Sequence, residues 1–97
     1  MRAEYDSEAN ALAIDLVPDC LIDYAEDIDG RCNVAVDRAG RPVSVELLYP
    51  DEGIEAPLAA AAVRFGLDAE ALIVAARAAL GAPDREIVMD VRARTVA

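Results

Sequence analysis

The chain has 97 residues, with nine arginines and no lysine against 19 acidic residues, and it contains no histidine. These counts exclude zinc, haem and triad sites built on histidine, and a formal net charge of −10 opposes direct contact with nucleic acid, which needs a basic footprint. We expect no cofactor or metal, because the sequence has no histidine and no cofactor motif. We expect a cytoplasmic protein, because no signal peptide opens the sequence and no apolar run reaches the roughly 18–20 residues that cross a bilayer.

The first half of the chain alternates apolar and polar residues with a period of two, which is typical of strands. Strands are predicted over residues 1–6, 11–17, 21–27, 31–37 and 43–49. Antiparallel neighbours must bring like faces together, and this condition predicts a five-stranded meander. Its expected cross-strand pairs are Tyr5 with Leu12, Leu16 with Ile22, Tyr24 with Val34, and Val34 with Val45.

The second half changes to helical periodicity. Helices are predicted over residues 56–65 and 69–80, with Pro57 in the first turn, Gly66 after the first helix and Asp68 as the N-cap of the second. A sixth strand is predicted over residues 86–92. The sequence therefore predicts a single α+β domain over residues 1–97, in which a two-helix hairpin packs on one face of the meander and a C-terminal strand follows.

Charge divides the chain into two unequal halves. Residues 1–53 carry four arginines and 13 acidic residues, whereas residues 54–97 carry five arginines and six acidic residues. A large net charge keeps a protein soluble, and it also steers a partner of opposite charge into contact. Both interpretations of the acidic half stay open at this point.

The predicted register gathers acidic residues among small alanines on the outward face of the sheet. This candidate contact face consists of Glu4, Asp15, Asp23, Asp27, Asp37 and Glu46. Asp15 and Asp23 are expected to lie opposite each other, and paired carboxylates of this kind can divide acid and base roles in catalysis. Because the face is open and flat, we expect it to be solvated, or to contact a basic partner or a second copy, rather than to catalyse a reaction.

Two other segments resemble known sites at first sight. Residues 26–30 resemble a calcium loop, but its first and last ligand positions would be Ala25 and Val36, which cannot bind the ion. The two helices have the length of a helix-turn-helix, but the second offers Arg77 alone for a nucleic-acid groove. A tight turn and a packed helical hairpin explain these segments better.

The two cysteines are predicted to be free thiols. The predicted register places Cys20 opposite Arg38 and Cys32 opposite Glu26. The two are then roughly 20 Å apart at ~3.3 Å per residue, beyond the reach of a disulfide.

The first half also carries a recognisable pattern. It begins with Glu4-Tyr5-Asp6-Ser7-Glu8-Ala9-Asn10-Ala11-Leu12 and continues with Asp37-Arg38-Ala39-Gly40-Arg41 and Val45-Glu46-Leu47-Leu48. Over residues 2–49 the chain resembles the small bacterial family catalogued as domain of unknown function 2283. That family has no established activity or catalytic residue, and its short members often lie beside genes for small toxin-like proteins. The resemblance implies a toxin-binding, antitoxin-like protein or a regulatory partner protein, and not an enzyme.

Three functional hypotheses remain. The first is a protein-binding module that uses its acidic half against a basic protein. The second is a nucleic-acid mimic or immunity-type inhibitor, and the third is an enzyme that relies on carboxylates alone. We also expect a homodimer built largely from the near-neutral residues 54–97, because two acidic halves would repel each other.

Overall fold

A computed structural model describes residues 1–89 of the chain. Within them the chain forms six strands and two α-helices: β1 (Arg2–Asp6), β2 (Ala11–Asp15), β3 (Tyr24–Asp27), β4 (Cys32–Val36), β5 (Pro42–Leu48), α1 (Glu55–Phe65), α2 (Ala69–Leu80) and β6 (Ile87–Val88). All strand pairs are antiparallel. The predicted α+β fold class is confirmed, whereas positions 90–92 of the predicted last strand lie outside the described residues.

The order of the strands corrects the predicted meander. The sheet has the order β3-β4-β5-β2-β1-β6, so β2 pairs with β5 and not with β3. After β2, the backbone N–H groups of Leu16 and Val17 both donate to the carbonyl oxygen of Val43, at 2.9 and 3.1 Å. Residues 16–23, which we call the crossing segment, then carry the chain to the far edge of the sheet.

Burial explains why β2 selects β5. Leu12 lies opposite Leu47 and Ile14 opposite Val45, and all four side chains are buried. In contrast, β3 carries Glu26 opposite the buried Val34, and an inward-pointing charge suits an edge strand. The more apolar strands therefore take the centre of the sheet and β3 takes its edge.

The register is confirmed in two hairpins, where Tyr5 lies opposite Leu12 and Val34 opposite Val45. The β3–β4 hairpin differs, since Tyr24 lies opposite Val36. Its turn starts one residue later than predicted, because the carboxylate of Asp29 accepts hydrogen bonds from the backbone N–H groups of the two residues that follow Gly30, at 3.0 and 2.9 Å.

Both helices pack on one face of the sheet. α2 packs on β1 and β2, and α1 packs on β4 and β5. Most of the helix side chains in the buried core are alanines, and such small side chains let the helices approach the strands closely. The buried core consists of Ala3, Leu12, Ile14, Cys32, Val34, Val36, Val45, Leu47, Leu58, Ala61, Ala62, Leu72, Ala75, Ala76 and Ala79.

The helix ends follow the predicted signals. Pro57 lies in the first turn of α1, and Gly66 ends the helix with a left-handed φ of 65°. The carboxylate of Asp68 caps α2 by accepting a hydrogen bond from the backbone N–H of Ala71 at 3.1 Å. Both predicted helices are confirmed within one residue at each end.

No helix or strand within residues 1–89 covers the other side of the sheet, which we call the open face. At one edge of the sheet, β6 covers β1, and the hydrogen bonds between them continue to Met1 and Met89. The opposite edge is β3. Neither α1 nor α2 has the length and apolar composition needed to cross a bilayer.

Candidate functional site

A row of side chains crosses the open face from β3 to β1. The strand registers align, in this order, Asp27, Asn33, Glu46, Ala13 and Glu4. The three acidic members are exposed to solvent. This row, which we call the acidic row, brings together three of the six predicted contact residues, from three different strands.

The neighbouring row on the open face contains mostly small side chains, together with one ion pair. In order from β3 to β1, its members are Ala25, Ala35, Ser44, Asp15 and Arg2. Arg2 donates to Oδ2 of Asp15 through Nε at 3.1 Å and through Nη2 at 3.0 Å. The hydrogen bond to Asp15 is the main reason that the pKa of the Arg2 guanidinium is raised. Asp15 thus lies on the open face as predicted, but Arg2 compensates its charge.

The predicted pair of Asp15 and Asp23 does not exist. Asp15 lies between Arg2 and Ser44, because β2 pairs with β1 and β5. Asp23 precedes β3 at the edge of the sheet, where its backbone N–H donates to the carbonyl oxygen of Val36 at 2.8 Å. The sheet order therefore removes the proposed acid–base pair.

Asp37 lies in the turn after β4 and holds that turn closed. Its carboxylate accepts hydrogen bonds from the backbone N–H groups of Ala39 and Arg41, both at 2.9 Å, and from Nε of Arg41 at 3.0 Å. These bonds, foremost the one from the Arg41 backbone, lower the pKa of Asp37. The sequence pattern could not separate this turn-closing carboxylate from the exposed ones.

The crossing segment borders the open face at one end. Asp19 approaches Arg2, with 3.4 Å between Oδ1 and Nη2, and Cys20 and Ile22 line a shallow cleft together with Asp15. A second shallow cleft on this face, of about 270 Å³, is lined by Arg2, Glu4, Ala13, Asp15 and Glu86. A face with only small, shallow clefts suits a macromolecule better than a small molecule, which needs a larger concave site.

Shifted pKa values occur at one buried thiol and at two carboxyl groups in turns. Burial raises the pKa of the Cys32 thiol to about 11, so this group stays protonated and unreactive at neutral pH. Hydrogen bonds from Ser7, above all from its hydroxyl, lower the pKa of Asp84. A lowered pKa keeps a carboxylate ionised, which is the opposite of what a general acid needs.

A further concave feature lies beside the loop after β5. Arg31 lines it and donates to the carbonyl oxygens of Leu48, Tyr49 and Gly53, at 3.4, 2.9 and 3.2 Å. These bonds tie the loop to the start of β4. The acidic residues Asp51, Glu52 and Glu55 line the same cleft, so it offers no site for an anion.

The sequence prediction missed the exposure of β3. Ile22 and Tyr24 were expected on the apolar face, but they are 58% and 52% exposed. Glu26, on the same face as Tyr24, points toward the helices and pairs with Arg64 of α1 at 2.8 Å. An acidic residue at an inward position was the signal that could have identified this strand as an edge.

Among residues 1–89, no group of three acidic or cysteine side chains is placed to hold a metal ion. Comparison of the chain with protein-family models, with curated proteins and with solved structures found no match.

Proposed function

We propose that the chain is a small, cytoplasmic, non-catalytic protein-binding module whose open face takes a basic partner protein. The observation that carries this proposal is the acidic row, with exposed carboxylates of Glu4, Asp27 and Glu46 on a side of the sheet that neither helix covers. Free thiols at Cys20 and Cys32 fit the reducing compartment that the proposal assumes.

Electrostatics supports a basic partner over a neutral one. Residues 1–53 carry a net charge of −9, from four arginines and 13 acidic residues. A surface of one sign speeds the encounter with a partner of the opposite sign and repels partners of like charge. In this proposal the acidic row selects the partner, and the small neighbouring residues let it approach the sheet closely.

The resemblance to domain of unknown function 2283 supports an antitoxin-like form of the same proposal. A toxin-like protein is then the expected partner, and blocking its surface is the expected effect. The proposal needs no chemistry from this chain beyond binding.

Affinity capture from the native host tests the proposal. The tagged chain is compared with the double variant Glu4→Gln, Glu46→Gln, which removes two charges from the acidic row. The double variant Glu52→Gln, Glu70→Gln is the matched control, because it removes two exposed charges elsewhere. We expect one basic protein to be retained by the wild type and the control at low salt, and to be lost from the acidic-row variant and at high salt.

Two results would contradict this proposal. Equal retention by both double variants would show that the acidic row is not the contact surface. Release of the captured protein by added duplex DNA would instead favour the nucleic-acid mimic, since a mimic occupies its partner's nucleic-acid site.

We further propose that the chain forms a homodimer through its near-neutral half. Each helix exposes a valine there, Val63 at 86% and Val74 at 51%. Contact through this half leaves the acidic row of both copies free for partners.

A further inference from the structure

The edge of the sheet at β3 has unpaired main-chain groups. The backbone N–H of Ile28 donates to the carbonyl oxygen of Cys32, which fixes the alternation of hydrogen-bonded pairs along β3 and β4. In an antiparallel ladder every second residue directs its N–H and C=O away from the neighbouring strand. Along β3 these residues are Ala25 and Asp27. A strand added beside β3 would find these groups free.

Exposed apolar side chains lie next to this edge. Leu21 is 89% exposed and Ile22 is 58% exposed, just before the strand, and Tyr24 within it is 52% exposed. Large apolar side chains grouped at one place on a surface mark contact sites more often than isolated ones do. The edge thus offers main-chain groups for pairing and apolar side chains for burial.

The charge around the edge restricts what can pair with it. Residues 3–30 contain nine acidic residues and neither arginine nor lysine. Glu26 is already paired with Arg64 on the side of the helices. Asp23 and Asp27 have no ion-pair partner within residues 1–89.

A second copy of β3 is a poor occupant of this edge. A two-fold axis at Ala25 pairs that residue with its own copy, so Asp23 of each copy lies opposite Asp27 of the other. Like charges directly opposite each other destabilise a strand pair. An extended segment with basic residues removes this repulsion and replaces it with attraction.

We propose that β3 receives an extended basic segment of the partner protein as a seventh strand of the sheet. In that strand, alternate basic side chains lie on the open-face side near Asp27, and the intervening apolar side chains lie near Tyr24. Main-chain hydrogen bonds to Ala25 and Asp27 hold the segment, and side-chain alternation gives the specificity. This inference rests on the proposed function for the basic character of the partner, and it adds a contact along the edge beside Asp27, the member of the acidic row that lies on β3.

Amide hydrogen exchange on the wild-type chain tests the inference directly. The probe is a blocked peptide of about eight residues that alternates lysine and valine, a length that matches a typical strand. The control is the same peptide with N-methylated backbone amides at its lysines, because in the proposed register the lysines lie opposite Ala25 and Asp27 and supply the N–H groups that pair with β3. With saturating lysine–valine peptide, we expect exchange at Ala25 and Asp27 to slow roughly tenfold or more, and the control to leave it unchanged.

A pair of substitutions at one position gives a second measurement. Ala25→Pro removes an outward N–H, and an edge strand tolerates proline where the N–H faces solvent. Ala25→Thr keeps the N–H and favours the strand conformation. We expect the proline variant to bind the lysine–valine peptide roughly tenfold more weakly than the threonine variant. If the proline variant does not fold, hydrogen exchange on the wild-type chain decides.

Three outcomes would overturn the inference. If both peptides bind equally and perturb Glu4 and Glu46, the contact is the acidic row, and the proposed function stands without the edge. If neither peptide slows exchange at Ala25 and Asp27, the edge takes no basic strand, and the capture experiment judges the proposed function separately. If these amides become protected without peptide as protein concentration rises, a second copy occupies the edge.

Discussion

The carboxylate of Asp37 stabilises the fold in a way that depends on pH. Because its pKa in the folded chain is below the ordinary value of 3.8, its contribution is complete above that value and is lost as the pH falls through the lower folded pKa. We predict that Asp37→Asn lowers the free energy of unfolding at about pH 7, and that its difference from the wild type shrinks toward about pH 3. Urea unfolding at both pH values measures this change. Glu8→Gln is the control, and an equal deficit of Asp37→Asn at both pH values would contradict the prediction.

The two thiols should react at very different rates. Cys32 is buried and its pKa is raised to about 11, whereas Cys20 is half-buried and its Sγ lies near the carbonyl oxygen of Leu21. We predict one rapid alkylation adduct on the folded chain, at Cys20, and two adducts on the unfolded chain without reductant. Intact mass and peptide mapping measure both. An unfolded chain that takes up no adduct would show an intramolecular disulfide.

At the scale of elements, the cap of α2 is a local contribution that can be measured alone. The Asp68 carboxylate accepts the N–H of Ala71, one of the backbone donors that a helix start leaves without an internal partner. We predict that Asp68→Ala lowers the free energy of unfolding by about 1 kcal/mol, and that Asp68→Ser retains most of it. Urea unfolding of the three chains measures the difference. Equal losses in both variants would assign the effect to the charge and not to the cap.

The sequence predicted the elements whose boundaries are set by local chemistry. Gly66 and Asp68 marked the end of α1 and the start of α2 because both act through the backbone within one helical turn. The β1–β2 register was predictable since only a short turn separates the two strands. Alternation also placed Glu4, Asp15, Asp27 and Glu46 on the open face, because side-chain direction in a strand depends on parity alone.

The features that escaped prediction depend on contacts between distant residues or on side chains in turns. The alternation of apolar and polar residues is compatible with β2 beside β3 as well as beside β5. The observed pairing with β5 depends on the burial of Leu47 and Val45 against β2. The β3–β4 register shifted because Asp29 binds two backbone N–H groups in the turn. Asp37 was predicted on the contact face but lies in a turn for a similar reason, since its carboxylate binds backbone N–H groups of that turn.

At the scale of the whole molecule, self-association is the prediction that a single measurement decides. We expect light scattering at micromolar concentration to give twice the chain mass of 10.3 kDa. The contact should involve residues 54–97, since the opposite arrangement would bring together two halves that each carry a net charge of −9. A monomer mass would contradict the dimer. A dimer whose contacts lie mainly on Asp15, Asp23 and Asp37 would contradict its location.

The strand order also determines when the sheet can be completed during synthesis. Both strands of the β1–β2 hairpin have been made at residue 15, but the inner neighbour of β2 is β5, at Pro42–Leu48, and the outer neighbour of β1 is β6, at Ile87–Val88. The helices that cover the apolar face come between these two strands. Pairing of strands so far apart in the sequence first loses loop-closure entropy, and the contacts that offset this loss form only afterwards. The edge of β2 therefore has no partner until residue 48 has been made, and the edge of β1 and the apolar side under α2 have none until nearly the whole described chain has been made.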